Sequence, residues 1–321
     1  MALRCAILDD YQNVALTLAD WGKIKDEVEI KVFTEAVRRT DDDTIRDLKD
    51  FDIVVMMRER TRFPRRVIDG MPKLKLLITT GAYNASIDMA ACKERGIVVC
   101  GTGGHGNPTT GITFGLILEL TRRIGWENAR MKAGAPWQVT LGMDIEGKTL
   151  GILGLGKLGA RAAGVAKAFG MKVIAWSQNL TPERCKEVGA EYVSKDDLFR
   201  NADFVTIHLQ LSDRTRGLIT AKEFGLMKKT AYLINTSRGP IVEEKALLDA
   251  LTGKQIAGAG LDVFDVEPLP VDHPFRKLDN AIITPHLGYV SQQNYARYYP
   301  DIVENIRGFL DGKPVRVIAP K

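Results

Sequence analysis

The turn at residues 154–159, Gly-Leu-Gly-Lys-Leu-Gly, limits what this chain can fold into more than any other segment. In a G-x-G-x-x-G turn the first glycine allows a tight bend, the second lets the backbone approach a pyrophosphate, and the third lets a helix pack on a strand. An apolar run at 148–153 precedes the turn, and an alanine-rich helical stretch at 161–169 follows it. Because Gly170 then separates this stretch from another apolar run, the segment predicts a strand-helix-strand unit that binds a dinucleotide.

The length and composition predict a folded protein of two domains. A chain of 321 residues exceeds what one hydrophobic core usually organises. The hydrophobic fraction of 45% and the charged fraction of 26% are near the globular average. No apolar run approaches the roughly 18 residues of a membrane span, and the first ten residues, interrupted by Arg4, do not have the pattern of a secretory signal. We therefore expect no association with a membrane.

The cysteines and the charge exclude further classes of function. The four cysteines are widely spaced and have no nearby histidine at ligand spacing, so we predict no metal site and no disulfide framework, and a cytoplasmic location (Cys5, Cys92, Cys100 and Cys185). The net charge is a modest +5, and the basic residues are spread along the chain. We therefore predict no nucleic-acid partner.

Strand and helix signals alternate along the chain, which predicts an α/β fold with parallel sheets and crossover helices. Five short apolar runs lie in the first hundred residues, at 3–8, 28–33, 53–57, 74–79 and 97–100, and five more follow the glycine-rich turn, at 172–176, 204–209, 231–235, 256–261 and 281–284. A capping box at Thr40 opens one helix, and Gly96 ends another that starts near residue 87. Long helices are predicted at 107–123 and 291–310, with a short tail at 315–318.

Three polar residues follow strands of the second half, where ligands bind in doubly wound sheets. They are Arg238, Glu267 and His286. An arginine can hold a carboxylate with two hydrogen bonds, and a histidine can exchange a hydroxyl proton near neutral pH. An ionised Glu267 bonded to the imidazole of His286 would fix its tautomer and favour its charged form. As a set, these groups are suited to oxidising an alcohol beside a carboxylate, although each in isolation has an equally good structural explanation.

The chain resembles the D-isomer-specific 2-hydroxyacid dehydrogenases, which include phosphoglycerate, glyoxylate and hydroxypyruvate reductases. The resemblance covers nearly the whole length and rests on four segments in the family's order, at 151–159, 235–239, 260–268 and 284–288. It implies that Arg238, Glu267 and His286 are the catalytic residues and that the substrate is a small 2-hydroxy or 2-oxo acid. It also implies that Asp262 lies near the nicotinamide carboxamide.

The motif and the resemblance together give the predicted ligand contacts. The cofactor-binding set is Thr110, Gly154, Gly156, Lys157, Leu158, Gly159, Ser177, His208, Thr236, Ser237, Arg238, Asp262, His286 and Gly288. The substrate-binding set is Arg60, Gly81 and Ala82 together with Arg238 and His286. In relatives the amides of the loop at 80–84 hold the substrate carboxylate.

The resemblance further implies two doubly wound parallel-sheet domains and a homodimer. Residues 1–101 and 288–321 would form a discontinuous, flavodoxin-like substrate domain, and residues 102–287 an inserted Rossmann domain that binds NAD or NADP.

Some alternatives stay open in the sequence. Ser177 stands where NAD-binding relatives carry an aspartate. No arginine stands directly beside Ser177 to receive a 2′-phosphate, and Glu183 would oppose one, so we favour NAD and do not exclude NADP. Gly111 replaces a glutamate usual in the family, which leaves the contacts of Thr110 open. For His105, His208 and His273 we favour structural roles over proton transfer.

Two further alternatives concern the substrate and the class of function. The arginines at positions 58, 60, 62, 65 and 66 could select a phosphorylated substrate, but a solvated helix start is the favoured interpretation. The alternative to an enzyme is an NAD(H)-sensing corepressor of the same fold, because fold alone does not decide function.

Overall fold

The computed structural model describes residues 2–36 and 40–319, and the chain forms two compact units. One unit is Met1–Gly106 with Ser291–Lys321, and the other is Asn107–Val290. Both boundaries lie a few residues beyond the predicted ones at 101/102 and 287/288. The glycine-rich stretch stays with the first unit because the Gly103 and His105 amides donate to Asp301 and Asn294 of the C-terminal helix, each at 2.8 Å. The predicted ends at Met1, Pro320 and Lys321 lie outside the described residues.

Within the described residues, twelve strands form the two sheets. Those of the first unit are β1 (Leu3–Ile7), β2 (Val28–Val32), β3 (Ile53–Met56), β4 (Leu76–Thr79) and β5 (Val98–Cys100). Those of the second are β6 (Thr149–Leu153), β7 (Lys172–Trp176), β8 (Glu191–Tyr192), β9 (Phe204–Ile207), β10 (Tyr232–Asn235), β11 (Gly258–Leu261) and β12 (Ala281–Ile283).

The described residues also form α-helices in both units. They are α1 (Asp41–Leu48), α2 (Arg65–Asp69), α3 (Met89–Glu94), α4 (Pro108–Arg122), α5 (Ile124–Lys132), α6 (Lys157–Ala168), α7 (Pro182–Val188), α8 (Lys195–Asn201), α9 (Ala221–Leu226), α10 (Glu244–Thr252) and α11 (Gln292–Leu310). None of the helices in the described part of the chain has both the length and the apolar character needed to cross a membrane.

The first unit is a five-stranded parallel sheet in the order β2-β1-β3-β4-β5. This is the flavodoxin-like order, as predicted. Strands β3 and β4 are buried throughout, because helices cover both faces of such a sheet. The capping box is confirmed, since the Asp43 amide donates to Thr40 Oγ1 at 3.1 Å and the Thr40 amide donates to the Asp43 carboxylate at 3.2 Å.

The second unit is a seven-stranded parallel sheet in the order β12-β11-β10-β9-β6-β7-β8. Strand β6 lies between β7 and β9, so the order reverses beside it and the glycine-rich turn that follows β6 opens at this switch point. The prediction of five strands after β6 is wrong by one. Strand β8 has two residues, both exposed, and pairs only with the edge of β7, so it carries no apolar signal.

Candidate active site

The three glycines of the turn have different local environments. Gly154 has a φ of 97°, and a Cβ there would lie 2.8 Å from the His208 carbonyl oxygen. A Cβ on Gly159 would lie 2.0 Å from the Gly154 carbonyl oxygen, so this glycine lets α6 pack against the turn. At Gly156 a Cβ would meet no described protein atom within 4 Å. Packing therefore explains Gly154 and Gly159. Gly156 instead leaves open space, which fits a dinucleotide approaching the backbone.

Two further observations fit a bound dinucleotide. Helix α6 begins after Gly156 without a side-chain cap, so its first amides are available to an anion. In the first turn of α4, Thr110 Oγ1 is buried and has no hydrogen-bond partner among the residues that the structure describes. Buried hydroxyls are nearly always bonded, so this one fits a polar group supplied by a ligand.

Two other hydroxyls of the predicted cofactor set are bonded within the unit. Thr236 Oγ1 lies 3.0 Å from Thr113 Oγ1, and the Ser237 hydroxyl donates to the Leu209 carbonyl. These bonds hold the segment after β10 against α4 and against the segment after β9. Either residue could therefore bind a cofactor only through its backbone or by exchanging these partners.

His208 follows β9 beside the glycine turn. Its Nε2 lies 3.1 Å from Thr206 Oγ1, and burial lowers its pKa to about 4. Burial disfavours the charged imidazolium, so the ring is neutral at physiological pH. It therefore lines the turn without carrying a charge.

The segment after β10 presents Arg238, and the side chain of Asn235 shapes it. Asn235 Oδ1 accepts from the Ser237 amide at 3.0 Å, and Asn235 Nδ2 donates to the Arg238 carbonyl at 2.9 Å. These bonds close the turn in which Arg238 lies. The sequence analysis missed Asn235, although an asparagine two residues before a turn residue is a recognisable signal for such side-chain bonding.

Gly239 brings this segment against the end of β11. A Cβ at Gly239 would lie 2.2 Å from the Phe264 carbonyl carbon, 2.4 Å from its oxygen and 2.5 Å from the Asp265 nitrogen. Only a glycine allows two backbones to approach so closely. The residue beside Arg238 is thereby fixed against the segment that leads to Glu267.

Glu267 connects that segment to His286. Its Oε1 accepts from the Phe264 amide at 2.9 Å, and its Oε2 lies 2.8 Å from His286 Nδ1. The side chains of His286 and Glu267 are 12% and 20% exposed, so both are largely shielded from water. The contact with the carboxylate is made by Nδ1, so it fixes the orientation of the imidazole ring of His286.

Asp262 holds the turn that carries His286. Its carboxylate accepts from Thr284 Oγ1 at 2.6 Å and from the Leu287 and Gly288 amides at 2.7 Å each. Burial raises the pKa of Asp262, while these hydrogen bonds act in the opposite direction. His286 has a φ of 55°, a left-handed conformation that costs energy outside glycine and needs such support. The structure therefore gives Asp262 a positioning role that the sequence analysis did not assign.

The three predicted catalytic residues follow neighbouring strands. Arg238, Glu267 and His286 come after β10, β11 and β12, which are adjacent and parallel, so they leave the sheet at one edge. The chain of contacts from Gly239 through Phe264 and Glu267 to His286 joins them. The segment of Arg238, whose Nη1 donates to the Ser237 carbonyl at 2.7 Å, is thus fixed against the segment that leads to an imidazole oriented by a carboxylate.

Three of the predicted substrate residues, Arg60, Gly81 and Ala82, lie in the first unit. Arg60 follows β3 and is partly buried, and Ala82 is exposed in the loop after β4. The Gly81 amide donates to Thr102 Oγ1 at 2.8 Å, so this amide is already used within the unit. Of Gly81 and Ala82, the two substrate residues predicted in the loop at 80–84, Ala82 is therefore the one whose amide the expectation rests on.

The chain is similar to known proteins in both sequence and fold. A family model described as D-isomer specific 2-hydroxyacid dehydrogenase, NAD binding domain, matches residues 114–288. A glyoxylate reductase of Korarchaeum cryptofilum is 34% identical over 299 residues, covering 91% of this chain and 90% of that protein. A glyoxylate reductase of Aeropyrum pernix is 39% identical over 256 residues, covering 77% and 76%.

A solved structure extends the likeness over the whole chain. The crystal structure of a phosphoglycerate oxidoreductase from Vibrio cholerae is 33% identical and has a TM-score of 0.91, with 97% of this chain and 99% of that one covered. Both units therefore have counterparts in a solved structure.

Proposed function

The chain belongs to the D-isomer specific 2-hydroxyacid dehydrogenase family, NAD-dependent oxidoreductases, and on this premise we propose that Arg238, Glu267 and His286 carry out its reaction. The observation that carries the proposal is the 2.8 Å contact between His286 Nδ1 and Glu267 Oε2 at the sheet edge that also presents Arg238. The proposed substrate is a small 2-oxo acid, reduced to its D-2-hydroxy acid, or the reverse.

In this mechanism each residue has one task. His286 Nε2 takes the hydroxyl proton during oxidation and returns it during reduction. Glu267 keeps Nδ1 protonated and stabilises the imidazolium that forms when Nε2 is also protonated. Arg238 holds the substrate carboxylate and polarises the adjacent carbonyl oxygen.

The nucleotide site supplies the other half of the reaction. When bound, NAD accepts a hydride from the carbon that bears the hydroxyl, and NADH returns it. The amides at the start of α6 and the open space at Gly156 would hold its pyrophosphate, and Thr110 Oγ1 would bind one of its polar groups. The low pKa of His208 keeps an additional positive charge away from the turn.

We propose an unphosphorylated substrate, such as glyoxylate or hydroxypyruvate. Three arginines of the cluster at 58–66 are bonded within the first unit, which supports this. Arg65 makes a two-point contact with Glu94 at 2.6 and 2.9 Å, Arg66 pairs with Asp42, and Arg58 donates to the Thr80 carbonyl at 3.1 Å. Two of the relatives named above are glyoxylate reductases and one is a phosphoglycerate oxidoreductase, so the proposal rests on these arginine contacts.

The test compares His286→Asn with His273→Asn. His273 is a matched control in the same unit, because its Nε2 lies 3.2 Å from Glu244 Oε1 and its side chain is also 12% exposed. Loss of an acid-base group lowers kcat by about 10²- to 10⁴-fold. We expect that loss in His286→Asn with NADH binding kept, as measured by cofactor fluorescence, and near wild-type turnover in His273→Asn.

A second variant tests the role of the guanidinium. Arg238→Lys should raise the KM for the oxo acid more than it lowers NADH affinity, because a point charge cannot make the two-point contact. Unchanged kinetics in either His286→Asn or Arg238→Lys would overturn the assigned roles.

The corepressor alternative has no observation in its favour, and the cytoplasmic location and the homodimer stay predictions.

A further inference from the structure

The loop that follows β4 contains a buried asparagine whose side chain is fully hydrogen-bonded. Asn84, at the end of the loop at 80–84, is 3% exposed. Its Nδ2 donates to the Arg58 carbonyl at 2.6 Å and to Thr79 Oγ1 at 2.9 Å. Its Oδ1 accepts from the Ser86 amide at 2.8 Å and from the Ser86 hydroxyl at 2.7 Å. An asparagine amide offers two donor hydrogens and two acceptor positions, so all four are used within the first unit.

These bonds join the loop to the turn that follows β3. Arg58 lies in that turn with a φ of 51°, a left-handed conformation that costs energy outside glycine. Its amide donates to Thr80 Oγ1 at 2.9 Å, and its carbonyl accepts from Asn84. Both backbone polar groups of Arg58 are thus bonded to residues of the loop. The turn and the loop therefore hold each other in one arrangement.

The side chain of Arg58 adds a second contact between the same two segments. Its Nη1 donates to the Thr80 carbonyl at 3.1 Å, and a Cβ on Gly81 would lie 1.9 Å from that nitrogen. The guanidinium is therefore packed directly against the backbone at Gly81. Ala82 comes next in the chain, so the position of its amide depends on where the Arg58 turn is held.

We infer that Asn84 is a positioning residue for the oxo acid. Its side chain holds the Arg58 turn against the loop at 80–84 and thereby sets the position of the Ala82 amide for the substrate carboxylate. A buried polar network with every member bonded is rigid, and a loop held rigidly binds its ligand without first having to be ordered. The inference deepens the proposed function, and it rests on that function for the carboxylate as the ligand of the loop.

Steady-state kinetics separate positioning from a merely structural role. Asn84→Ala removes all four bonds, so the KM for glyoxylate or hydroxypyruvate, whichever the wild type reduces faster, should rise by about tenfold. The NADH affinity, measured by cofactor fluorescence, should not change. A merely structural role would lower the folded fraction of the enzyme, which lowers the apparent kcat and leaves the KM unchanged.

A second variant and a matched control identify which bonds matter. Asn84→Asp keeps the shape of the side chain and the acceptor for Ser86, but it places a carboxylate oxygen against the Arg58 carbonyl. Because two acceptors repel each other, its KM should rise at least as much as in Asn84→Ala. Ser86→Ala removes only the hydroxyl and leaves both Nδ2 bonds in place, so its KM should stay within about twofold of the wild-type value.

Hydrogen exchange followed by mass spectrometry measures the loop without any substrate. Peptides of the full chain that contain the Arg58 and Gly81 amides, each bonded to a threonine hydroxyl, should exchange about tenfold faster in Asn84→Ala and at the wild-type rate in Ser86→Ala. Unchanged exchange in Asn84→Ala would overturn the inference.

The kinetic outcomes are equally decisive. An unchanged KM in both Asn84 variants would overturn the inference, and so would a rise in Ser86→Ala equal to that in Asn84→Ala. A wild-type chain that reduces neither acid would instead count against the proposed function, whereas the exchange rates would still decide whether Asn84 holds the loop.

Discussion

The contact at Gly239 gives a sharp prediction about catalysis. In Gly239→Ala the added Cβ would lie 2.2 Å from the Phe264 carbonyl carbon, whereas an ordinary contact begins at 3.4 Å, so the two segments must separate by about 1.2 Å (3.4 − 2.2 Å). The atoms it meets are backbone, so no rotamer change relieves the clash. The displacement separates the segment of Arg238 from the segment that leads to Glu267.

A misplacement of about 1 Å in a catalytic group can lower the rate by about 100-fold, and overpacking commonly costs about 1–3 kcal/mol of stability. We therefore expect kcat/KM of Gly239→Ala for glyoxylate or hydroxypyruvate, whichever the wild type reduces faster, to fall by about 100-fold. The melting temperature should fall only moderately. Gly164→Ala is the control, because its Cβ would meet no described atom within 4 Å. A Gly239→Ala enzyme within about threefold of wild-type kcat/KM would refute the argument that this contact positions Arg238.

Two other predictions concern the nucleotide turn. In Gly156→Ala the Cβ occupies the open space at the turn, so NADH affinity should fall markedly in a fluorescence titration, while the melting temperature stays close to that of the wild type. A loss of stability with unchanged NADH affinity would contradict the assignment of Gly156 to dinucleotide binding. His208, with a pKa of about 4 against an ordinary 6.5, stays neutral in the folded chain while the unfolded chain takes up a proton as the pH falls through this window. Its contribution is thus neutral above about pH 7 and increasingly destabilising from about pH 6.5 down to 4. The melting temperature, measured at several pH values across that range, should fall less steeply with falling pH for His208→Gln than for the wild type. An equal fall in both proteins would argue against the lowered pKa.

Most strands were predictable because parallel strands covered on both faces are continuous apolar runs, as in β3 and β4, whereas β2 (VEIKV) alternates buried or half-buried residues with exposed ones. All five runs of the first unit contain a strand, and so do the five that follow β6. Strand β8 could not be predicted in this way, since neither Glu191 nor Tyr192 is buried and only pairing with β7 makes them a strand. Its formation depends on a neighbour distant in sequence rather than on local pattern.

The candidate catalytic residues were identifiable because each follows a strand, and the carboxyl ends of parallel strands meet at one edge. What holds them in place was not identifiable. The Gly239 contact with Phe264 and the three hydrogen bonds of Asp262 join residues about 25 positions apart, and such pairs have no periodic signal. The left-handed backbone at His286 follows from those bonds rather than from its side chain.

Residue type alone did not establish which side chains of α7 contact the glycine-rich turn. Glu183 was treated as a negative charge facing the ribose, but its carboxylate is bonded to the first turn of α7, and the adjacent Arg184 extends to the Leu155 carbonyl. Neighbouring helix residues point about 100° apart, so one position along the chain decides which charge reaches the turn.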